Sequence, residues 1–187
     1  MKLNFARASN VLLIISIVAV AVVAGCIGQT SVQNGLYNIT KDGVEYDFSN
    51  NIYTALNVSV YGKDTIYSML SFTNNIAVLF TDNKDDDPYV ATAAAELTSK
   101  LSKYYPYSQG RLVAIKGFEM SNLSGVLNGT MIEFRGPHTG ANSTDVRIDG
   151  NRIVVEALNA SDLKLVGDRL ALVLFEDDLQ KMGVVVP

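Results

Sequence analysis

The sequence predicts an α/β domain, a mixed sheet with helices packed on it, preceded by an N-terminal apolar anchor helix. Three observations carry that reading. Residues 76–81 (IAVLFT) and 171–175 (ALVLF) are uninterrupted apolar runs, the pattern of strands covered on both faces. Residues 75–119 read as strand, helix, strand, an order that normally builds a right-handed crossover in a parallel sheet. Val11 to Cys26 (VLLIISIVAVAVVAGC) is apolar throughout and follows the basic residues Lys2 and Arg7.

That leader admits three readings. A basic start, an apolar stretch and small residues before a cleavage point make a secretory signal. Val23-Ala24-Gly25-Cys26 resembles a lipobox, the processing site of prokaryotic lipoproteins, although Val23 stands where that family more often has Leu. The resemblance implies cleavage before Cys26 and a lipid on its sulfur. Alternatively, Val11 to Gly28 is 18 residues, long enough for an uncleaved helix to span a hydrocarbon core of about 30 Å. Thirdly, Arg7-Ala8 before Ser9 resembles the processing site of archaeal pilins. All three put the remainder on the extracellular face of the cell membrane, anchored by lipid or helix. Residues 1–28 are then signal or anchor, 29–35 (QTSVQNG) a polar tether, and 36–187 a single extracellular domain.

Composition narrows the function classes. Without Lys2 and Arg7 the chain has 13 basic against 19 acidic residues, a net charge of −6 that repels phosphate backbones and argues against nucleic acid as a partner. Cys26 is the one cysteine, so the remaining chain has no intrachain disulfide and no thiolate metal site. Six Asn-X-Ser/Thr triplets, at Asn38, Asn57, Asn122, Asn128, Asn142 and Asn159, are candidate glycosylation sites. The asparagine, serine and threonine content would give about two at random, so the excess points to an exported chain. The alternative is that these residues cluster in surface turns.

In order, residues 36–48 alternate around Lys41-Asp42-Gly43, a hairpin signal. Ser49 is the expected cap of a short helix through Leu56, and residues 57–61 (NVSVY) alternate as a short strand. Asp64 is the expected cap of a helix over 65–72, with Ile66, Met69 and Leu70 on one face. After strand 76–81, Pro88 behind Asp87 starts a helix, and the acidic run Asp82 to Asp87 suits its positive end. Val90, Ala94, Leu97, Leu101 and Tyr104 form its apolar stripe, Glu96 and Lys100 pair at i,i+4, and Pro106 and Gly110 are expected to close it near Tyr105.

Residues 111–118 (RLVAIKGF) are the next strand, and 121–129 a loop or short helix with two sequons. A strand over 131–135 ends at Gly136-Pro137-His138-Thr139-Gly140. Residues 145–158 read as a hairpin. A Gly150-Asn151 turn sets Ile148 opposite Ile153 and Val146 opposite Val155 on an apolar face, with Asp149 facing Arg152. A helix over 159–170, capped by Ser161 or Asp162, turns Leu163, Val166 and Leu170 inward and leads into the apolar run 171–175. An acidic turn and an apolar end (182–186) follow, and no internal repeat or low-complexity tract appears.

Residues 132–141 (IEFRGPHTGA), 146–155 (VRIDGNRIVV), Asp162-Leu163 and Asp168-Arg169-Leu170 together resemble segments of archaeal S-layer proteins and of uncharacterised archaeal surface lipoproteins. The resemblance covers a quarter to a third of the chain. It implies an envelope role and an α/β fold, and it transfers no catalytic residue.

Candidates for chemistry are few. Asp82, Asp85, Asp86 and Asp87 follow a strand and open a helix, where open α/β sheets bind ligands, and carboxylates there suit Ca²⁺. Their spacing lacks the central Gly and distal Glu of an EF-hand, so a solvated helix start competes with the metal reading. His138, the sole histidine, has no second His, Cys or nucleophile motif beside it and reads as a turn residue. Tyr104, Tyr105 and Tyr107 suit a buried helix end better than a carbohydrate platform, and Tyr37, Tyr46, Tyr53, Tyr61 and Tyr67 suit a core or its rim. The expected role is an anchored envelope or S-layer-associated interaction domain without enzymatic activity and without a cofactor. A surface lipoprotein that binds a solute or Ca²⁺ is the alternative. A deep pocket lined by the carboxyl ends of strands 76–81 and 111–118 favours the second, and a flat surface there the first.

Overall fold

A computed structural model of the chain describes residues 36–121 and 129–187. The leader expected to form an anchor helix, Cys26, the tether, Asn122 and Asn128 lie outside the described residues.

Asn38–Lys41 (β1) and Val44–Asp47 (β2) pair antiparallel as a separate ribbon. Their turn is Asp42-Gly43, both at positive φ (53° and 76°), which a tight two-residue hairpin requires. Ile39 and Tyr46 lie opposite each other and are buried.

The main sheet contains Ser59–Val60 (β3), Asn75–Phe80 (β4), Ala114–Glu119 (β5), Thr130–Arg135 (β6), Asp145–Asp149 (β7) and Arg152–Glu156 (β8). Its order is β3-β7-β8-β6-β4-β5. Strands β8, β6, β4 and β5 run parallel, β7 is antiparallel to β8, and β3 is parallel to β7, so the sheet is mixed. The β7–β8 hairpin has the expected register: Asp149 faces Arg152, Ile148 faces Ile153 and Val146 faces Val155. Gly150 supplies a positive φ of 60° at its turn.

Among the described residues five helices accompany the sheet: Ile52–Leu56 (α1), Lys63–Phe72 (α2), Asp87–Gln109 (α3), Leu163–Leu172 (α4) and Glu176–Lys181 (α5). Their buried residues join one core with Ile76, Val78, Ile132, Phe134, Val146, Ile153 and Val155. Strand side chains alternate, so these seven share one face of the sheet. The described helices cover that face, rather than both. The opposite face buries Ala77, Leu79 and Val154 among ion pairs, in which Glu133 meets Arg152 at 3.0 Å and Arg135 at 2.6 Å, and Glu156 meets Arg147.

Four expectations are corrected. Residues 171–175 form no strand: Ala171 and Leu172 end α4, and Val173–Phe175 is a 3-10 turn. A buried apolar run has no periodicity to tell strand from helix, and no breaker separates this one from α4. Phe175 instead enters an aromatic nest of Tyr46, Tyr104 and Phe48, with ring centroids 4.8, 5.4 and 6.1 Å away, which ties the β1–β2 ribbon to α3. Helix α3 runs through Pro106 to Gln109 and closes on Gly110 in the left-handed conformation (φ 63°). Proline costs a helix one hydrogen bond, but the buried Tyr104 and Tyr105, whose phenol donates to the Leu70 carbonyl at 2.9 Å, hold the last turns in place.

The cap of α1 is Asn51, which accepts from the Tyr53 amide, while Ser49 donates instead to Glu96. The cap of α2 is Gly62 at φ 79°, and Asp64 sits inside the first turn. Lys100 meets Glu96 at 4.0 Å, the i,i+4 pair that the sequence predicts. It is buried and pairs with Asp168 at 3.1 Å, whose other oxygen accepts from the Asn50 amide and side chain.

Gly35–Pro187 forms one compact unit that contains this whole core. Among the described residues no helix is long and apolar enough to cross a membrane.

Candidate functional site

Strands β4 and β6 are neighbours whose chains depart in opposite directions. From β4 the chain passes through α3 to β5, and from β6 it passes to β7 and β8 on the other side. Such a switch point leaves a crevice beyond the carboxyl ends of the strands, where open α/β sheets bind ligands. The acidic run 82–87 follows β4 and the 136–140 loop follows β6, so the topology brings together two segments that the sequence reading kept apart.

One carboxylate of the four joins the two loops. Asp86 is fully buried and accepts from the His138 amide (3.0 Å), His138 Nδ1 (3.0 Å) and the Thr139 hydroxyl (3.1 Å). Gly136 makes this possible, because a Cβ there would stand 2.4 Å from the Asp86 carboxylate. The imidazole is 53% exposed, and its hydrogen bond to Asp86 raises its pKa above the ordinary histidine value. Asp86 thus fixes the ring through Nδ1 and leaves Nε2 toward solvent.

The other carboxylates point elsewhere. Asp85 is exposed, and Asp87 accepts from the Asn83 amide at 3.0 Å. A hydrogen bond with Asp87, and then the charges of Asp87 and Glu119, hold the Asp82 carboxyl above its usual range. Among the described residues no group of three or more His, Cys, Asp or Glu is arranged to hold a metal ion.

Beside this crevice lies a groove of about 620 Å³ between α3 and the β4–β5 edge. Its floor is Val78, Phe80 and Gly117; its wall is Val90, Ala91, Ala94, Ala95, Thr98 and Ser99; Asp82, Asp87 and Glu119 stand at the end where β4 and β5 finish and α3 starts. The cause is local. Gly117 has no side chain on the floor, and the alanines facing it across the gap are too short to close it. A Cβ on Gly117 would rest 3.5 Å from Phe80 Cε1, an ordinary contact, so the space is open rather than strained.

The sequence reading found Asp82 and Asp87 but missed Phe80, Gly117, Glu119 and the small face of α3. A glycine inside a strand and the run Ala93-Ala94-Ala95 were the available signals. His138 does not line the groove.

The four described sequon asparagines, Asn38, Asn57, Asn142 and Asn159, are all exposed. Tyr104 and Tyr105 are buried, Tyr107 is exposed, and of the remaining tyrosines named above only Tyr46 is in the core. Comparison with protein-family models, with curated proteins and with solved structures finds no match for this chain.

Proposed function

We propose that this is the ligand-binding domain of an exported protein, held at the outer face of a membrane by its N-terminal leader, and that its groove takes a small solute with an apolar body. The groove at the carboxyl ends of β4 and β5 carries the proposal, because a pocket there supports a solute receptor over an interaction module. Its volume of about 620 Å³ falls within the range of small-molecule sites. Export is supported by the lipobox-like residues before Cys26 and by exposure of every described sequon asparagine.

Amide spectra of ¹⁵N-labelled Gly35–Pro187 during titration with 1-octanol test the groove. Shifts confined to residues 78–82, 87–99 and 117–119, and lost in Gly117→Leu, are expected; no shift at those residues overturns the reading. Mass spectrometry of the native N-terminal peptide tests attachment, a lipidated Cys26 against an intact leader, and identifies the sequons that carry sugar. An untouched Met1 with bare asparagines on a cytosolic molecule refutes export.

A second reading, an envelope or S-layer-associated interaction domain without enzymatic activity, is favoured by one observation. Arg111 donates to the carbonyls of Ser71 and Thr73, which flank Phe72, and both Phe72 (80% exposed) and Leu112 (85% exposed), the residue after Arg111, are exposed. Large apolar side chains so exposed on two segments joined in this way suit a contact with another protein.

A further inference from the structure

We infer that the ligand of the groove is an elongated organic cation, an apolar tail carrying an ammonium or quaternary ammonium head, with the head held by Asp82, Asp87 and Glu119. The inference rests on the groove reading above and adds the charge and shape of the occupant.

Shape comes from the helix that forms the wall. Lining residues extend along α3 from Asp87 to Ser99, a rise of about 18 Å at 1.5 Å per residue. Over most of that length the lining is apolar: Val78, Phe80, Val90 and the alanines 91, 94 and 95. The space is therefore a trough, matched by a chain better than by a compact ring.

Charge comes from one end of it. Phe80 is the register partner of Glu119, which brings the ends of β4 and β5 level with the start of α3, where Asp87 lies beside Asp82. None of the ion pairs among the described residues involves Asp82, Asp87 or Glu119. Lys84 acts on Asp82 only through its charge. Lys116, the nearest cation on β5, alternates with Gly117 and points to the opposite face of the sheet. Three carboxylates thus stand at the head of an apolar trough without a paired cation of the chain. An anionic ligand would meet repulsion there. A neutral one would gain nothing from the carboxylates, which stay in water, and a cation complements them.

The test uses three probes with the same tail: octyltrimethylammonium, 1-octanol and octyl sulfate, each below its micelle threshold. They are titrated into Gly35–Pro187 at low ionic strength, with affinity read from the amide shifts of groove residues. The cation should bind about tenfold more tightly than the alcohol, since three partly exposed charges are each worth a few-fold. The sulfate should bind more weakly than the alcohol. Asp82→Asn with Glu119→Gln should leave the cation only a few-fold tighter than the alcohol, the share of the remaining Asp87, and leave the alcohol unchanged. Gly117→Leu should abolish binding of all three. If that variant does not fold, Ala91→Leu, at an exposed helix position, narrows the groove from the opposite wall.

Equal affinities for the three probes, or tighter binding of the sulfate, overturn the cation inference and leave the groove reading standing. Absence of groove shifts with every probe overturns both.

Discussion

One helix layer meets one sheet in two ways. Over β6 and β8 the contact is closed: Ile132, Phe134, Ile153 and Val155 have no exposed surface, and neither do Val166 and Leu170 of α4 above them. Helix α4 packs on α3 there around Gly167, where an added Cβ would make ordinary contact, 3.8 Å, with both Phe134 and the Ala93 carbonyl. Over β4 and β5 the layers stay apart around about 620 Å³. Both regions belong to one face, one core and one long helix. What separates them is side-chain size: large residues opposite a close helix pair make core, whereas Gly117 opposite alanines makes a groove. The switch point between β4 and β6 places the crevice, and a few small residues decide whether the groove beside it stays open.

The largest effect is expected where the layers close. Phe134→Ala removes a fully buried ring and should lower stability by about 3–5 kcal/mol in denaturant unfolding. A loss below about 1 kcal/mol would mean that this half is no better packed than the groove.

Asp168→Ala should cost nearly as much, about 3 kcal/mol. It strands the buried Lys100 ammonium and removes the acceptor for two Asn50 donors, so the loss should persist in high salt. Salt-independent stability equal to wild type would show the pair to be solvated.

On the open side the sign reverses. Gly117→Val should stabilise by roughly 0.5–1 kcal/mol, because a strand glycine is entropically costly and there is room for the side chain, and it should abolish octanol binding. Stability falling together with binding would contradict the account of the groove as unfilled space.

Smaller effects follow pH. Burial opposes ionisation of Glu133 and Glu156, but hydrogen bonds from Arg135 and Arg152 to the first, and from Arg147 and Ser143 to the second, outweigh it and hold both below 4.5. Carboxylates with depressed folded values stabilise fully above their unfolded values and lose that contribution as pH falls through the folded ones. Unfolding midpoints should therefore be level above about pH 5 and decline below about 4.5; Glu133→Gln should flatten part of that decline.

His138 works the other way. Its pKa is raised above 6.5 by Asp86, so its contribution is complete below 6.5 and disappears as pH rises through the folded value. His138→Gln should remove a slight loss of stability above pH 6.5, the smallest change of the series because the ring is exposed.

Legibility in the sequence followed the range of the interactions. The β7–β8 register was readable because alternation and a glycine turn act within twelve residues, and a one-residue slip would have turned Val146 and Ile148 outward. The start of α3 was readable from Pro88. The run 171–175 was misread because hydrophobicity reports burial and not backbone, and its partners Tyr46, Phe48 and Tyr104 lie far away in the chain. Of the candidate site, Asp82 and Asp87 were visible as an acidic helix start. Glu119 was not, since only the parallel pairing of β4 with β5 sets it beside them.

Asp86 shows the same division within a single residue. Nothing in the run Asp85-Asp86-Asp87 distinguishes the middle carboxylate, yet it alone turns inward to hold His138 and Thr139, 52 and 53 residues away. The sequence by itself determined most of the elements, the hairpin turns, the apolar leader and the charge balance, all set by neighbours along the chain. Tertiary structure alone decided which carboxylates meet and where the helix layer stands off the sheet, because those outcomes depend on side-chain volumes that face one another only after the strands have paired.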